Sequence, residues 1–112
     1  LFRSEAPVAD VGKNVIELRH RLMAEENDEY LEAALNNDLV QVADALGDKL
    51  YILCGTIIAH GLQHKITEVF QEIHRSNMSK LDQNGMPVYR EDGKIMKSEL
   101  YFPPDIGSVL EK

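Results

Sequence analysis

The sequence predicts an all-α protein, an antiparallel helical bundle completed by oligomerisation, with a small C-terminal hairpin or loop segment. Three observations lead there. From Asn14 onward, Ile16, Met23 and Tyr30 recur at heptad spacing beside a Leu18–Leu22 stripe. A second run, from Asp38, keeps an apolar stripe and becomes apolar on almost every side after Leu50. At 112 residues the chain is a single domain with a modest core, which self-association would complete.

Residues 1–12 contain Pro7 and Gly12 and show no sustained period, so they form an irregular lead-in. The first helix is expected over about 14–35, with Asn14 as N-cap and Asn36-Asn37 as the stop. Asp38 caps the second, over 38–60, whose stripe is Leu39, Val42, Ala43, Leu46, Leu50, Leu53 and Ile57 before Gly61 ends it. The all-round apolar stretch Leu50–Ala59 reads as a buried helix, with Cys54 a buried small hydrophobe inside it. A third helix, about 64–77, places Ile66, Val69, Phe70 and Ile73 on one face. Over 82–105 the character changes to loop and hairpin: Asn84-Gly85 and Asp92-Gly93 are turn signals, and Val88-Tyr89-Arg90 and Lys94-Ile95-Met96 flank the second. Asp105 to Leu110 forms a short helix after Pro103-Pro104.

The formal charge is -7, from 19 acidic and 12 basic residues. That balance excludes a general nucleic-acid polymer binder, which needs a basic face to displace counterions. A small phosphorylated ligand held through metal ions remains compatible. No stretch approaches a membrane span, no secretory signal is visible, and one cysteine allows no intrachain disulfide. A cytoplasmic protein is expected.

The acidic residues are unusually placed. Along the Leu18–Leu22 stripe the next positions are Glu25 and Glu29, where apolar residues would continue, and Glu26 lies on the adjacent flank. On the second helix Asp44 and Asp48 share a face just before the apolar stretch. A short Asn-Asn turn makes the helices antiparallel neighbours, so the two acidic sets face each other. Five carboxylates at close range need protons or hard divalent cations. The simpler alternative is a solvated face paired with Arg19, Arg21 or Lys49.

The blocks LMAEENDEYLEA, DLVQVADALGDKLYILCGT, EIHRSNMSKL and GMPVYREDGKIMKSELYFPPDI together resemble the MazG-like all-α NTP pyrophosphohydrolase superfamily, in its phosphoribosyl-ATP pyrophosphohydrolase-like branch. The resemblance covers roughly residues 14–107. It implies Mg²⁺ (Mn²⁺ as a substitute) held by an ExxE motif and an ExxD motif. Glu26 and Glu29 supply the first, with Glu25 preceding. The second fits either Gln41–Asp44 or Ala45–Asp48, and the first placement is preferred because the Gln41 carbonyl still offers an oxygen. Metal ligands are then Glu26, Glu29, Asp44 and Asp48, and Glu25 or Glu26 orients or deprotonates water. The resemblance assigns Asn77 and Lys80 to the nucleotide, with Arg75, Arg90, Lys94 and Lys97 as further cations for phosphate.

The implied reaction is hydrolysis of a nucleoside triphosphate, a dNTP or non-standard nucleotide, to monophosphate and pyrophosphate in nucleotide-pool house-cleaning. Phosphoribosyl-ATP hydrolysis in histidine synthesis is the alternative within the enzyme class. Relatives imply a homodimer or homotetramer, and a further helix before Asn14, so an N-terminal segment is expected to be missing from a chain that begins at Leu1. The rival from another class is a non-catalytic helical interaction module, favoured by Gln41 (or Ala45) standing where the family has glutamate. His60 and His64 have zinc-pair spacing, but Gly61 should separate them. His74 reads as a capping or surface residue and Tyr51 as a core aromatic. No P-loop and no Ser/His/Asp arrangement is present.

Overall fold

The computed structural model describes residues 7–81, 84–96 and 99–112. Its elements are α1 (Lys13–Leu35), α2 (Leu39–Ala59), α3 (Ile66–Met78), β1 (Val88–Tyr89), β2 (Ile95–Met96) and α4 (Ile106–Glu111). The fold class is all-α, with the two-residue strands as its only sheet among the described residues. Two compact units divide the chain, Leu1–Gln63 and His64–Lys112.

The first unit is an antiparallel helical hairpin. Its first helix starts one residue earlier than the composition suggests. Gly12, at φ 95°, occupies the cap position and its carbonyl accepts from Ile16 N–H at 3.0 Å. Asn14 therefore lies inside the first turn, and no side chain caps this end. The other end follows the sequence closely. Asn36 N–H donates to Glu32 O, and Asn37 takes the left-handed conformation, φ 56°, that asparagine tolerates better than most residues. Asp38 then opens α2, its Oδ1 accepting from Gln41 N–H at 3.1 Å. Beyond α2, Gly61 (φ 73°) and Leu62 donate back to the Ile58 and Ile57 carbonyls.

Helices α1 and α2 pack against each other, and Ala33 and Ala45 are the buried residues of the pair. Cys54, expected to be buried, is exposed. So is much of the apolar run around it: Leu50 is 61% exposed, Tyr51 83% and Ile58 57%. The reason is geometric. One partner helix covers one stripe of α2, and a helix apolar on several sides needs more than one neighbour.

The second unit joins α3, the hairpin and α4. Helix α3 runs over 66–78, two residues later at its start than expected. Val88 pairs with Met96 and Tyr89 with Ile95, antiparallel, around the turn that Gly93 (φ 86°) permits. Asp105 caps α4 by accepting from Ser108 N–H and Oγ–H. Ser76, 2% exposed, donates to the Phe102 carbonyl at 2.8 Å, and Ser79 Oγ accepts from Phe102 N–H at 3.0 Å. These hydroxyls bind the extended segment 99–105 to α3.

Candidate functional site

Glu26 and Glu29 lie one turn apart on α1, and Asp48 reaches them from α2. One carboxylate oxygen from each lies within 4.8 Å of the other two. Around a Mg²⁺ ion the ligand oxygens stand about 2.9 Å apart when adjacent and about 4.1 Å when opposite. Small side-chain rotations would therefore close this set on an ion. Lys49, next to Asp48, donates to Asn27 Oδ1 and not to any of the acids.

Glu26 is the half-buried member of the trio. Its Oε2 is shielded from solvent and has no hydrogen-bond partner. Its pKa is pushed up to about 7, first by sharing a proton with the Glu29 carboxylate, then by burial and by the charges of Glu29, Asp48 and Asp44. A proton or a cation between Glu26 and Glu29 would relieve this repulsion. The all-oxygen, partly desolvated donor set fits a hard divalent cation.

That shift sets the pH response of the metal-free protein. The folded chain keeps a proton on Glu26 that the unfolded chain, at its ordinary value of 4.5, has released. The resulting stabilisation is complete below pH 4.5 and is lost as pH rises through about 7. Glu26→Gln should therefore raise the melting temperature of the metal-free protein at pH 8 and change it little at pH 4.5. Thermal unfolding followed by circular dichroism at both pH values checks this; an equal shift at both would remove Glu26 from the centre.

Asp44 stands beside the trio. It lines an open cavity of about 370 Å³ with Glu29, Ala33, Gln41 and Ala45. The preferred placement of the second motif, Gln41–Asp44, is thus not the one that brings its aspartate to Glu26 and Glu29. Of the two placements, Ala45–Asp48 has its aspartate in the oxygen cluster and Gln41–Asp44 has its aspartate in the wall of the adjoining cavity. Glu32, Asn36 and Asp38 also line the cavity and were not singled out from the sequence. Asp38 both caps α2 and lines the cavity. Counting back from the turn, which places residues 33 and 41 on facing positions, would have found them.

Glu25 is exposed and lies outside the trio. Among the described residues no ion pair joins any of the five acids to Arg19, Arg21 or Lys49. The acids are thus not paired with those cations, and all but the half-buried Glu26 are exposed. Arg19 turns instead to the Ile52 carbonyl and Thr56 Oγ1.

The expected phosphate-binding residues belong to the second unit. Arg75 is engaged there: its guanidinium donates twice to Glu72, at 2.8 and 2.9 Å, and lies 4.4 Å from the Phe102 ring centroid. Glu72 also accepts from Asp105 N–H at 2.7 Å, and these bonds, Arg75 first, hold its pKa down at about 2. Arg75 is a structural cation fastening α3 to the segment before α4. Arg90 pairs with Asp92 across the hairpin turn. Asn77 is exposed at the end of α3, Lys80 half-buried just beyond it and Lys94 exposed in the hairpin. Lys97 lies outside the described residues. His60 donates its Nδ1–H to the Val8 carbonyl at 3.0 Å and accepts from Val8 N–H at 3.0 Å through its own carbonyl. It caps α2, and His64 falls beyond the helix, so the two do not form a ligand pair.

A family model described as phosphoribosyl-ATP pyrophosphohydrolase matches residues 4–77, well over half of the chain. The match spans both acidic helices and α3 as far as Asn77. No curated protein matches the chain significantly.

Proposed function

This chain belongs to the phosphoribosyl-ATP pyrophosphohydrolase family, and from that membership we propose that it hydrolyses a nucleoside triphosphate between the α- and β-phosphates. The products are a monophosphate and pyrophosphate, and the substrate is a deoxynucleotide or non-standard nucleotide. The family supports pyrophosphohydrolase activity on a nucleotide-like substrate. The observation that carries the finer reading is the meeting of Glu26, Glu29 and Asp48 with their oxygens within 4.8 Å. Glu26, Glu29 and Asp48 would hold Mg²⁺, with Asp44 at the edge of the set. When bound, the ion offsets phosphate charge and makes a coordinated water more acidic.

The chain's own groups would do the rest. Water adds across the α–β anhydride, and one of its protons passes to a carboxylate, Glu25 or Glu26. Glu25 is exposed and unpaired among the described residues, so it can accept that proton without leaving the trio. Asn77, Lys80 and Lys94 are the proposed nucleotide and phosphate contacts. Of the cations considered, Lys80 has the best claim: it is half-buried and makes no ion pair among the described residues. We place self-association on the apolar face of α2, where Gly47, Leu50, Tyr51, Cys54, Gly55 and Ile58 line an open groove of about 500 Å³. The free, exposed Cys54 thiol suits a reducing compartment such as the cytoplasm. No helix among the described residues is long and apolar enough to cross a membrane.

The family description favours phosphoribosyl-ATP as the second reading. Phosphorus NMR of the products distinguishes the two. The protein is incubated with Mg²⁺ and a panel of NTPs, dNTPs, modified nucleotides and phosphoribosyl-ATP. Pyrophosphate from a dNTP or modified nucleotide, at least tenfold faster than from phosphoribosyl-ATP, is the expected result. The reverse preference selects the second reading, and no turnover of any compound selects the non-catalytic module.

A further inference from the structure

Resting on the metal-binding reading of the acidic trio, we infer that Arg19 is a positioning residue, which locks α1 against α2 so that the trio can meet. It acts through geometry and not through its charge. Arg19 Nε donates to Thr56 Oγ1 at 3.0 Å and Nη2 donates to the Ile52 carbonyl at 2.7 Å. Thr56 Oγ1 is itself fixed by donating to the same carbonyl at 2.9 Å, which turns its free lone pair toward the guanidinium. Gly55 completes the seat: a Cβ there would lie 2.6 Å from Nη2 and 3.3 Å from Cζ. Glycine inside a helix lowers its stability relative to alanine. At this position it lets the guanidinium lie directly against the α2 backbone.

The arrangement is unexpected for an arginine on the most acidic helix of the molecule. Arg19 is half-buried, and among the described residues it pairs with no carboxylate. Its place on the helix pair gives the reason. Arg19 precedes Glu26 by seven residues, two turns back on the same face of α1, and Ile52 follows Asp48 by one turn on α2. The clasp thus sits on the same inter-helix seam as the trio, about 10 Å along it. The Asn36-Asn37 turn fixes the opposite end of that seam. With both ends held, α1 cannot slide or roll on α2, and the carboxylates between them keep their spacing. A misplacement of about 1 Å is enough to spoil a constellation of this kind.

Charge and geometry make opposite predictions. If Arg19 acted by its charge, removing it from the neighbourhood of acids would tighten cation binding. If it positions, the loss weakens binding. Gly55→Ala separates the effects further, since it keeps the arginine and pushes its flexible tip out of the seat. Because Gly55 also borders the apolar groove of α2, the comparison is made where sedimentation shows parent and variant in the same assembly state. Alanine is the better helix former, so α2 persists in this variant.

The experiment is a Mn²⁺ titration of the intact chain, read by electron paramagnetic resonance of the free ion, at a temperature where thermal melts show every variant folded. Arg19→Met and Gly55→Ala are each expected to weaken Mn²⁺ binding about five- to tenfold, by analogy with groups that orient metal ligands. Arg19→Lys, which has no planar fork to reach both acceptors, is expected to recover only part of that loss. Unchanged affinity in Gly55→Ala, or tighter binding in Arg19→Met, overturns the positioning role. Absence of Mn²⁺ binding by the unmodified protein overturns the reading of the trio itself and the role of Arg19 with it, an outcome distinct from variants that bind as the parent does.

Discussion

Asp48→Asn is expected to lower Mg²⁺-dependent pyrophosphate release by at least about 100-fold, whereas Asp44→Asn should cost about tenfold or less. The difference comes from where the two side chains lie. Asp48 has an oxygen within 4.8 Å of Glu26 and Glu29 oxygens. Asp44 lines the cavity beside them and acts on Glu26 through its charge. The amide keeps the shape of the carboxylate and removes one negative charge and one anionic ligand. Both variants should melt no lower than the parent without metal, since each relieves repulsion on Glu26. Steady-state rates over a Mg²⁺ series, with helix content checked by circular dichroism, decide the matter. Equal losses at the two positions would mean that both aspartates coordinate, and a larger loss at Asp44 would restore the Gln41–Asp44 placement of the motif.

The double substitution Leu50→Glu, Ile58→Glu is expected to convert a self-associated protein into a monomer. It should also lower the melting temperature by more than about 10 °C. Leu50 is 61% exposed and Ile58 57%, two turns apart on one line of α2. Between them Tyr51 and Cys54 are exposed as well. Among the described residues of the helical hairpin only Ala33 and Ala45 are buried, too little to stabilise it by itself. Covering the apolar face of α2 with a second copy would supply the missing burial, and a stable pairing needs about 1,000 Å² or more. Sedimentation equilibrium at micromolar concentration, together with thermal melts at two protein concentrations, reads both effects. A parent protein that sediments as a monomer, with a melting temperature independent of concentration, would remove the α2 face as an interface.

Much of the local structure was legible in the sequence because it depends on neighbours along the chain. Asp38 caps α2 as its position before an apolar-periodic run suggests, since an aspartate there can accept from the N–H three residues on. Asn37 supports the left-handed turn, and Asp92-Gly93 turns the hairpin, for the same local reasons. The acids Glu26 and Glu29 were recognisable because they fall next to an apolar stripe where a solvated charge is out of place. Asn14 misled because a capping residue type is a preference, and the Gly12 carbonyl had already taken the first helical bond.

Position in the helix pair was a different matter. Periodicity assigned Asp44 and Asp48 to one face of α2, and that assignment holds for either aspartate. Which of the two meets Glu26 depends on how far α2 is advanced along α1. That advance is set by the two-residue turn and by the Arg19 clasp on Gly55 and Thr56. The exposure of Cys54 follows likewise from how many helices surround α2, and the stacking of Arg75 on Phe102 from the return of that segment to α3. Which stretches form helices, the caps of α2 and the acids the helices carry follow from neighbours along the chain, because hydrogen bonds and side-chain spacing within a helix repeat with a fixed period. Which carboxylates meet depends instead on the packed helices, because contacts between elements depend on register and rotation, which no period along one chain encodes.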